Sequence, residues 1–480
     1  MTAKKDIFPT VRPPAVAGSF YPADAGTLRG EISALLASSA SSGVGGVIGL
    51  VAPHAGYYYS GALAARSFNA VRGLPFDTVV FLATAHSLSV KGAALYPGTA
   101  FSTPLGDMEI DKEVCDILRR TPLIADSPAA HAPEHSIEVQ LPFLQGIGMA
   151  GIRIVPLLLN THDIGRLAEI GDAVAAALKG RRALVVVSTD WSHYPPSQTA
   201  RRADLTLIAA LQSAVMRKDM EFFQLAHHML LERGETNLDT VCCGAAAVTA
   251  GAFACIGLGA KSFRLLEYRN SGEVEGGSAA QCVGYASGVF SAEAQEKDPV
   301  KLSREEGAAL LSLARRSIKA RLEGKALPRL ELSDSPALNL PGAPFVTLTM
   351  DGNLRGCIGN LEPRQILQDA VASLAVSSAF EDPRFDPLSP AELDSVRIEI
   401  SVLSPLRKAS GHEEVVPGLH GVVISDGARR GTYLPQVWEH FRKKEDFLSS
   451  LCAEKAGLSS SAWKDGSAEI WLYTVDAFTE

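Results

Sequence analysis

Residues 78–86 read TVVFLATAH, a nearly continuous run of apolar and β-branched residues that ends on a histidine. Three further runs have the same character: VIGLVAP at 47–53, IRIVPLLLN at 152–160 and ALVVVSTDWSH at 183–193. Strands buried on both faces of a parallel sheet have this composition. Helical patterns such as IGRLAEIGDAVAAALKG at 164–180 separate the runs. The first part of the chain therefore predicts an α/β domain, with a largely parallel sheet flanked by helices.

A polar, charged segment divides the chain. Residues 292–303 read AEAQEKDPVKLS, which is typical of a linker between domains. Ser303 and Glu306 then form an S-x-x-E capping box at the start of an amphipathic helical pattern. We therefore expect three segments, a first domain, a linker and a smaller α+β domain, over residues 1–294, 295–302 and 303–480.

Composition limits the partners and the compartment. The 480 residues carry 45 basic and 53 acidic side chains, a net charge of −8 that argues against general binding of nucleic acid or anionic membranes. Residues 240–260 are uncharged, but glycine and alanine dominate them, so we expect a buried helix and no membrane span. The first residues lack the apolar core of a signal peptide, and the seven cysteines are odd in number. Both features favour a cytoplasmic protein with reduced thiols or metal ligands.

His54, His86 and His193 each follow one of these predicted strands within a few residues. In open α/β sheets, ligands bind beyond the carboxyl ends of the strands, where the loops converge. We therefore expect the three imidazoles to meet at one metal or acid–base site. Taken singly, each is better explained as a histidine whose hydrogen bonds are satisfied within the fold.

Two adjacent cysteines offer a further ligand. Cys242 and Cys243 precede Gly244 at the start of the small-residue helix. A helix N-terminus is expected to lower the pKa of a thiol and to favour the thiolate, which is the form that binds metals. Two adjacent side chains do not readily reach one ion, so we expect at most one ligand from this pair. The alternative is that both are small buried hydrophobic residues.

Other polar residues lie close to these histidines in sequence. His135 and Glu138 are spaced one helical turn apart, so Glu138 is a candidate to orient the imidazole. The alternative is that Glu134 and Glu138 cap and solvate a helix start. Asp190 lies three residues before His193 and is expected to hold that ring in one tautomer.

Four motifs together resemble the Memo family over residues 13–292. They are APHAGYYYSG at 52–61, EHSIEVQLPFL at 134–144, STDWSHY at 188–194 and CCG at 242–244. That family shares its fold with class III extradiol dioxygenases, whose iron is held by two histidines and a carboxylate. The resemblance therefore implies a class III extradiol dioxygenase-like fold for the first domain.

The same resemblance implies specific site residues. His54, His86 and Cys243 match the metal ligands of the family, with the cysteine in place of the carboxylate. His193 matches a nearby histidine that assists chemistry. Around His86 the chain reads LATAHSL, where relatives more often have Gly-Pro-Ser-His-His, so the loop departs from the family pattern while keeping the ligand.

The second domain resembles the Ammecr domain family over residues 302–480, whose hallmark is the LRGCIG hexapeptide at 354–359. From the residues alone, we expect an exposed loop at 355–359 in a surface groove, with Arg355 able to anchor an anion. Cys357 is either a nucleophile or a packed thiol. The resemblance also implies a radical S-adenosylmethionine protein as partner, in the AmmeMemoRadiSam system, of which this chain resembles a fusion of two components.

Three functions are compatible with these residues. The leading hypothesis is a redox enzyme with one Fe(II) or copper ion, or zinc, acting on an unidentified small molecule. His193 is then the general acid or base, with Asp190 and His135 assisting. The second hypothesis is a scaffold or ligand-binding module with a non-catalytic metal pocket. The third is zinc-assisted hydrolysis, with Asp190 or Glu134 as base.

Overall fold

The structure is a computed structural model that describes residues 8–39, 43–327 and 330–480. The first seven residues, which belong to the N-terminal stretch without the apolar core of a signal peptide, lie outside this range. The chain divides into two compact units. The first comprises Met1–Lys301 and Leu332–Pro336, and the second comprises Leu302–Glu331 and Ala337–Glu480.

The first unit alternates strands and helices along the chain. Its strands are β1 (Val11–Arg12), β2 (Val47–Ala52), β3 (Thr78–Thr84), β4 (Ala93–Leu95), β5 (Ala100–Thr103), β6 (Gly106–Glu109), β7 (Ile124–Asp126), β8 (Arg153–Leu159), β9 (Ala183–Ser188), β10 (Ser262–Asn270) and β11 (Gly284–Ser291). Its α-helices are α1 (Ala25–Ser38), α2 (Tyr57–Asn69), α3 (Lys112–Leu118), α4 (Pro128–His131), α5 (Leu141–Gly146), α6 (Ile164–Leu178), α7 (Ser197–Arg217), α8 (Met220–Glu232) and α9 (Ala245–Gly257). Short 3-10 turns lie at Glu138–Gln140 and Ser271–Glu273.

A mixed eight-stranded sheet forms the centre of this unit, in the order β10-β11-β2-β9-β3-β8-β4-β7. The central strands β2, β9, β3 and β8 pair in parallel, as their continuous apolar runs predict. The outer pairs β10–β11, β11–β2 and β4–β8 are antiparallel, so the sheet is less uniformly parallel than expected. At one edge, residues 271–283 connect β10 to β11 through a 3-10 turn, without the α-helix that usually crosses over between parallel strands.

The glycine- and alanine-rich segment forms α9, which is buried along most of its length. A Cβ atom at Gly251 would overlap the side chain of Val187 in β9, so the absence of a side chain lets the helix lie close to the sheet. A Cβ at Gly171 in α6 would meet the backbone of α9 in the same way. The expectation of a buried helix is confirmed. Within the described residues, no helix combines the length and the apolar character that crossing a bilayer requires.

The second unit is smaller and rich in strands. These are β12 (Pro341–Met350), β13 (Asn353–Gly359), β14 (Gln365–Ile366), β15 (Arg397–Leu403), β16 (Arg407–Lys408), β17 (Gly421–Ser425), β18 (Arg430–Tyr433), β19 (Glu469–Tyr473) and β20 (Val475–Thr479). Its α-helices are α10 (Arg304–Leu322), α11 (Pro336–Asn339), α12 (Leu367–Phe380), α13 (Lys444–Ser450) and α14 (Ala462–Asp465). Other short turns lie at Pro390–Glu392, His412–Glu414, Pro435–His440 and Leu451–Lys455.

Two sheets organise this unit. One has the order β13-β12-β15-β20, with β14 also paired to β12, and the other has the order β16-β19-β17-β18. Helices α10 and α12 pack on the first sheet through a shared apolar core. Helix α10 begins at the capping box predicted from the sequence, because the side chains of Ser303 and Glu306 each accept a backbone N–H of the other residue.

The hexapeptide LRGCIG lies in β13, an edge strand, so the expectation of an exposed loop is wrong. The guanidinium of Arg355 does not face an open anion site, because Glu392 pairs with it at 2.8 Å. The outer edge of β13 is covered by side chains: Asp382 accepts the N–H of Cys357 at 2.8 Å. A Cβ at Gly356 would overlap the carbonyl oxygen of Ser378, so this glycine is required for close packing against α12. Cys357 itself is half-buried.

Candidate metal centre

The carboxyl ends of three neighbouring strands define the site. β2, β9 and β3 lie side by side and run parallel, so the residues that follow them emerge at one edge of the sheet. His54 lies two residues beyond β2 and His86 lies two residues beyond β3. Cys243 approaches the same edge from the start of α9. One ligand atom from each of these three residues lies within 4.8 Å of the other two.

His54 is a buried, neutral imidazole. Its Nε2 lies 3.3 Å from Sγ of Cys243, and its Nδ1 lies 3.1 Å from Oγ of Ser188. Burial lowers its pKa well below the usual value, and positive charge on His86 and His135 would lower the pKa further. A neutral imidazole is the form that binds a metal ion.

His86 is held by a carboxylate. Its Nδ1 lies 3.0 Å from Oε1 of Glu134, and its backbone N–H donates to Oε2 of the same residue at 2.7 Å. A carboxylate accepts hydrogen bonds, so the proton of the neutral ring lies on Nδ1 and Nε2 carries the lone pair. This is the arrangement in which a metal-bound histidine is oriented by an acidic partner.

Glu134 is the site residue whose role the sequence did not identify. Besides His86, its Oε1 accepts the backbone N–H groups of His135 at 2.8 Å and Ser136 at 2.9 Å. Burial alone would raise the pKa of Glu134, but the hydrogen bonds from His86 and from the backbone outweigh it and hold the pKa below its usual range. The carboxylate is fully engaged, which argues against a role as general base. The sequence feature that could have indicated this role is the position of Glu134 directly before His135.

His135 lies beside the two histidine ligand candidates. Its ring stacks on that of His86, with centroids 4.8 Å apart, and meets the ring of His54 edge-on at 5.4 Å. Its Nδ1 lies 3.3 Å from Oε1 of Glu134. His86, Glu134 and His135 form a second group whose ligand atoms lie within 4.8 Å of one another. Burial lowers the pKa of His135.

The expectation that Glu138 orients His135 is wrong. Glu138 is fully buried and forms an ion pair with Arg12 at 2.7 Å. It also accepts a hydrogen bond from the hydroxyl of Tyr21 at 2.7 Å and two from the N-terminal backbone. Glu138 faces the N-terminal strand because its 3-10 turn points it away from the ligand edge. Its partner Arg12 also donates to the backbone carbonyls of Glu134 and His131, which fixes the segment that carries Glu134.

Asp190 contacts the His54 segment and not the His193 ring, so the expected pairing of Asp190 with His193 is wrong. Its Oδ1 accepts the backbone N–H of His54 at 2.8 Å, and its Oδ2 lies 3.9 Å from Nε2 of His54. Burial raises the pKa of Asp190 to about 7. The carboxylate of Asp190 thus lies beside His54, at the end of β2, and does not contact the imidazole of His193.

His193 has a buried Nε2 atom to which no group in the described part of the chain hydrogen-bonds. The residue before it, Ser192, is fixed by the buried carboxylate of Asp204, which accepts hydrogen bonds from the N–H and the hydroxyl of Ser192 at 3.0 and 2.9 Å. The residue after it, Tyr194, is exposed and has a φ of 71°, a strained conformation that is common near functional sites. Burial, and then positive charge on His86, lower the pKa of His193.

The two cysteines have different surroundings, as expected. Cys243 belongs to the group of candidate ligands, whereas Cys242 is buried beside the hydroxyl of Thr189, 3.3 Å from its sulfur. The expected lowering of the Cys243 pKa is wrong for the protein alone. Burial raises the pKa of this thiol well above its usual value, and the negative charge of Asp190 raises it further. The effect of desolvation on this pKa is larger than that of the helix N-terminus. A cation bound at the site would lower the pKa and favour the thiolate.

The donor set fits a metal ion. In a tetrahedral site with N and S bonds of about 2.1 and 2.3 Å, the nitrogen and sulfur ligands lie about 3.6 Å apart. The observed separation between Nε2 of His54 and Sγ of Cys243 is 3.3 Å. Both imidazoles present a nitrogen toward this space while the other nitrogen is hydrogen-bonded to the protein, which is how metal-binding histidines are held.

Comparison with known proteins gives the family. Residues 12–289 match the sequence profile described as Memo-like protein. The chain belongs to the Memo family. Residues 311–478 match the AMMECR1 profile, so this Memo-family chain continues into an AMMECR1 domain. Both resemblances drawn from the sequence motifs are therefore confirmed, as is the fusion of the two domains.

Relatives of the Memo domain are found in archaea. The chain is 36% identical to a MEMO1 family protein of Methanopyrus kandleri over 295 residues, which cover 58% of this chain and 98% of that protein. It is 32% identical to a MEMO1 family protein of Nitrosopumilus maritimus over 286 residues, which cover 58% and 99%. Among solved structures, a crystal structure of an uncharacterized protein from Pyrococcus horikoshii is 33% identical to this chain with a TM-score of 0.35; the match covers 37% of this chain, a smaller share than the Memo profile match, and 93% of that protein.

Proposed function

We propose that the Memo domain is a metal-dependent oxidoreductase that uses one ion held by His54, His86 and Cys243. The observation that carries this proposal is the convergence of the three donor atoms within 4.8 Å at the carboxyl ends of parallel strands. Two imidazoles and one thiolate leave positions open for a small-molecule substrate. The thiolate favours softer ions, so we propose Fe(II) or copper, with zinc as the alternative.

When bound, iron or copper would supply one-electron chemistry and would polarise the substrate atom that it contacts. The surrounding residues bind, orient and exchange protons. His193 is assigned the proton transfer, because its Nε2 is buried and lacks a protein partner among the described residues. His135 is held against His86 by Glu134 and places another imidazole beside the ligands, which suits substrate binding. Asp190 orients His54 through the backbone N–H of that residue.

A finer assignment of the fold belongs to the same proposal. We assign the first unit to the class III extradiol dioxygenase-like fold, on the family resemblance and on the ligand-bearing loops that follow β2 and β3. The test is an experimental structure of the metal-loaded protein, compared strand by strand with a dioxygenase of that class. A different strand order around the ligand histidines would contradict the assignment.

Metal analysis tests the proposed function. The full chain is purified without metal, incubated anaerobically with Fe(II), Cu(I) or Zn(II) in turn, desalted and analysed for bound metal. We expect about one ion per chain, and loss of this stoichiometric ion in His54→Ala, His86→Ala and Cys243→Ala. His228→Ala and Cys357→Ala are the matched controls, because His228 is a surface residue and Cys357 lies in the other domain. One ion retained by His86→Ala would contradict the assigned ligand set.

Turnover separates the enzyme from its alternatives. Consumption of dioxygen or reduction of an electron acceptor by the Fe(II)- or copper-loaded chain, lost in His193→Ala while the metal remains, supports an oxidoreductase. Stoichiometric metal without turnover on any redox substrate favours the ligand-binding module. Turnover of hydrolysable esters by the zinc-loaded chain alone favours the hydrolase.

A further inference from the structure

A buried serine contacts the ring nitrogen of His54 that points away from the proposed metal. From this contact we infer that Ser188 is a positioning residue that holds His54 as the tautomer protonated on Nδ1. Its oxygen is placed for this by Ser136 and Gln140. The inference concerns the metal-free protein directly, and its consequence for metal binding rests on the proposed function.

The hydroxyl hydrogen of Ser188 is already committed to another partner. Its Oγ lies 2.6 Å from the backbone carbonyl oxygen of Ser136, a distance that only a hydrogen bond explains. A carbonyl oxygen can only accept, so Ser188 donates its single hydrogen there. Toward every other neighbour, the oxygen of Ser188 is an acceptor.

Gln140 occupies one of the two remaining lone pairs of that oxygen. Its Nε2 lies 2.8 Å from the carbonyl oxygen of Pro53 and 2.9 Å from Oγ of Ser188. Rotating the amide by 180° would place its oxygen against the Pro53 carbonyl, so the NH₂ group must occupy this position. Gln140 therefore donates to both oxygens and holds Ser188 in place.

The second lone pair of Ser188 faces His54. Nδ1 lies 3.1 Å from Oγ, which has no hydrogen left to give, so the ring must donate from Nδ1. The opposite tautomer would place two lone pairs against each other. Ser188 and Gln140 are fully buried and His54 is 2% exposed, so bulk water does not relieve that contact. Nε2 is then the unprotonated nitrogen, and it faces Sγ of Cys243 at 3.3 Å.

This arrangement complements that of His86. Glu134 fixes the His86 tautomer with a charged acceptor, whereas a neutral hydroxyl fixes that of His54. Both rings thereby present Nε2 to the same space. The neutral acceptor suits the buried position, because a second carboxylate behind His54 would add an unpaired charge to the interior.

Tautomers of histidine are measured directly by long-range ¹H–¹⁵N NMR of the full chain labelled at histidine, without metal. We expect the His54 signals, assigned by comparison with His54→Ala, to show a protonated Nδ1 and a bare Nε2. In Ser188→Ala this preference should be lost, and metal affinity measured by chelator competition should fall about 10- to 100-fold. Ser188→Thr retains the hydroxyl and should restore both.

The matched control is Ser67→Ala. Ser67 is equally buried and donates to a backbone carbonyl, but it does not contact a residue of the metal centre. It should leave the His54 tautomer and the metal affinity unchanged. A wild-type spectrum with the proton on Nε2, or an unchanged tautomer and affinity in Ser188→Ala, would overturn the inference. If the tautomers behave as expected but no metal binds to any variant, the inference stands and the proposed function fails.

Discussion

Replacement of Arg12 by methionine is expected to destabilise the Memo domain strongly. Arg12 is 1% exposed and Glu138 is fully buried, so Arg12→Met leaves a carboxylate in the interior without its counter-ion. Removing one partner of a buried ion pair costs about 3–5 kcal/mol of unfolding free energy. Glu138 retains hydrogen bonds from Tyr21 and from two backbone N–H groups, which places the expected loss near the lower end, about 3 kcal/mol.

A reporter confined to the first unit makes this measurable in the full chain. Trp191 is the only one of the four tryptophans within residues 1–301, so ¹⁹F NMR of fluorotryptophan-labelled protein in urea follows the unfolding of that unit. Glu138→Gln serves as the second single variant. We expect the loss in the double variant to fall short of the sum of the two single losses by at least about 1 kcal/mol, as for residues in direct contact.

The outcome also bears on the metal centre. Arg12 donates to the backbone carbonyl of Glu134, so Arg12→Met should weaken metal binding as well as stability. Strict additivity, within about 0.5 kcal/mol, would refute the reasoning, because it would mean that Arg12 and Glu138 act independently. A decrease in unfolding free energy of less than about 1 kcal/mol in Arg12→Met would also refute the reasoning, since it would show that the buried carboxylate needs no counter-ion.

Three further predictions concern packing and pH. Gly356→Ala should destabilise the AMMECR1 domain by about 1–3 kcal/mol, measured by thermal unfolding, because the new Cβ overlaps the carbonyl of Ser378. Gly251→Ala should destabilise the Memo domain although alanine is the better helix former, because the methyl group overlaps Val187; a gain in Tm would contradict this. Burial raises the pKa of Asp204 to about 7 from 3.8, so its protonated form favours the folded state. Its contribution to stability should fall as pH rises from about 4 to 7, and Asp204→Asn should flatten that slope in urea titrations.

The sequence predicted what is encoded locally. A continuous apolar run marks a central strand, and a histidine directly after it must emerge at the carboxyl end. His54 and His86 could therefore be placed from short segments, and the motif around Cys243 added the third ligand candidate. The glycine- and alanine-rich run likewise predicted the buried helix α9, because its composition permits close packing.

The parts that the sequence did not predict depend on contacts between distant segments. Glu134 is separated by 48 positions from His86, and Ser188 by 52 from the carbonyl of Ser136 that orients it. Periodicity contains no signal for such pairs. Glu138 was assigned to His135 because three residues of spacing suggested a helical turn, but a buried arginine from the N-terminal strand competes successfully for its charge. In the same way, the cysteine of LRGCIG suggested a reactive loop, whereas the neighbouring Gly356 allows close packing of β13 against α12.

The close contact between α9 and the sheet also determines how rigidly the proposed thiolate ligand is held. Cys243 lies two residues before α9, and Gly251 lies eight residues beyond it, about 12 Å along the helix axis. Because Gly251 has no side chain, the helix lies directly on the sheet. The distance between helix and sheet therefore determines the position of the Cys243 sulfur. A single methyl group added at that distance would lift the helix and shift the sulfur relative to both imidazoles. Metal affinity would then change in response to a core substitution at a residue outside the metal centre.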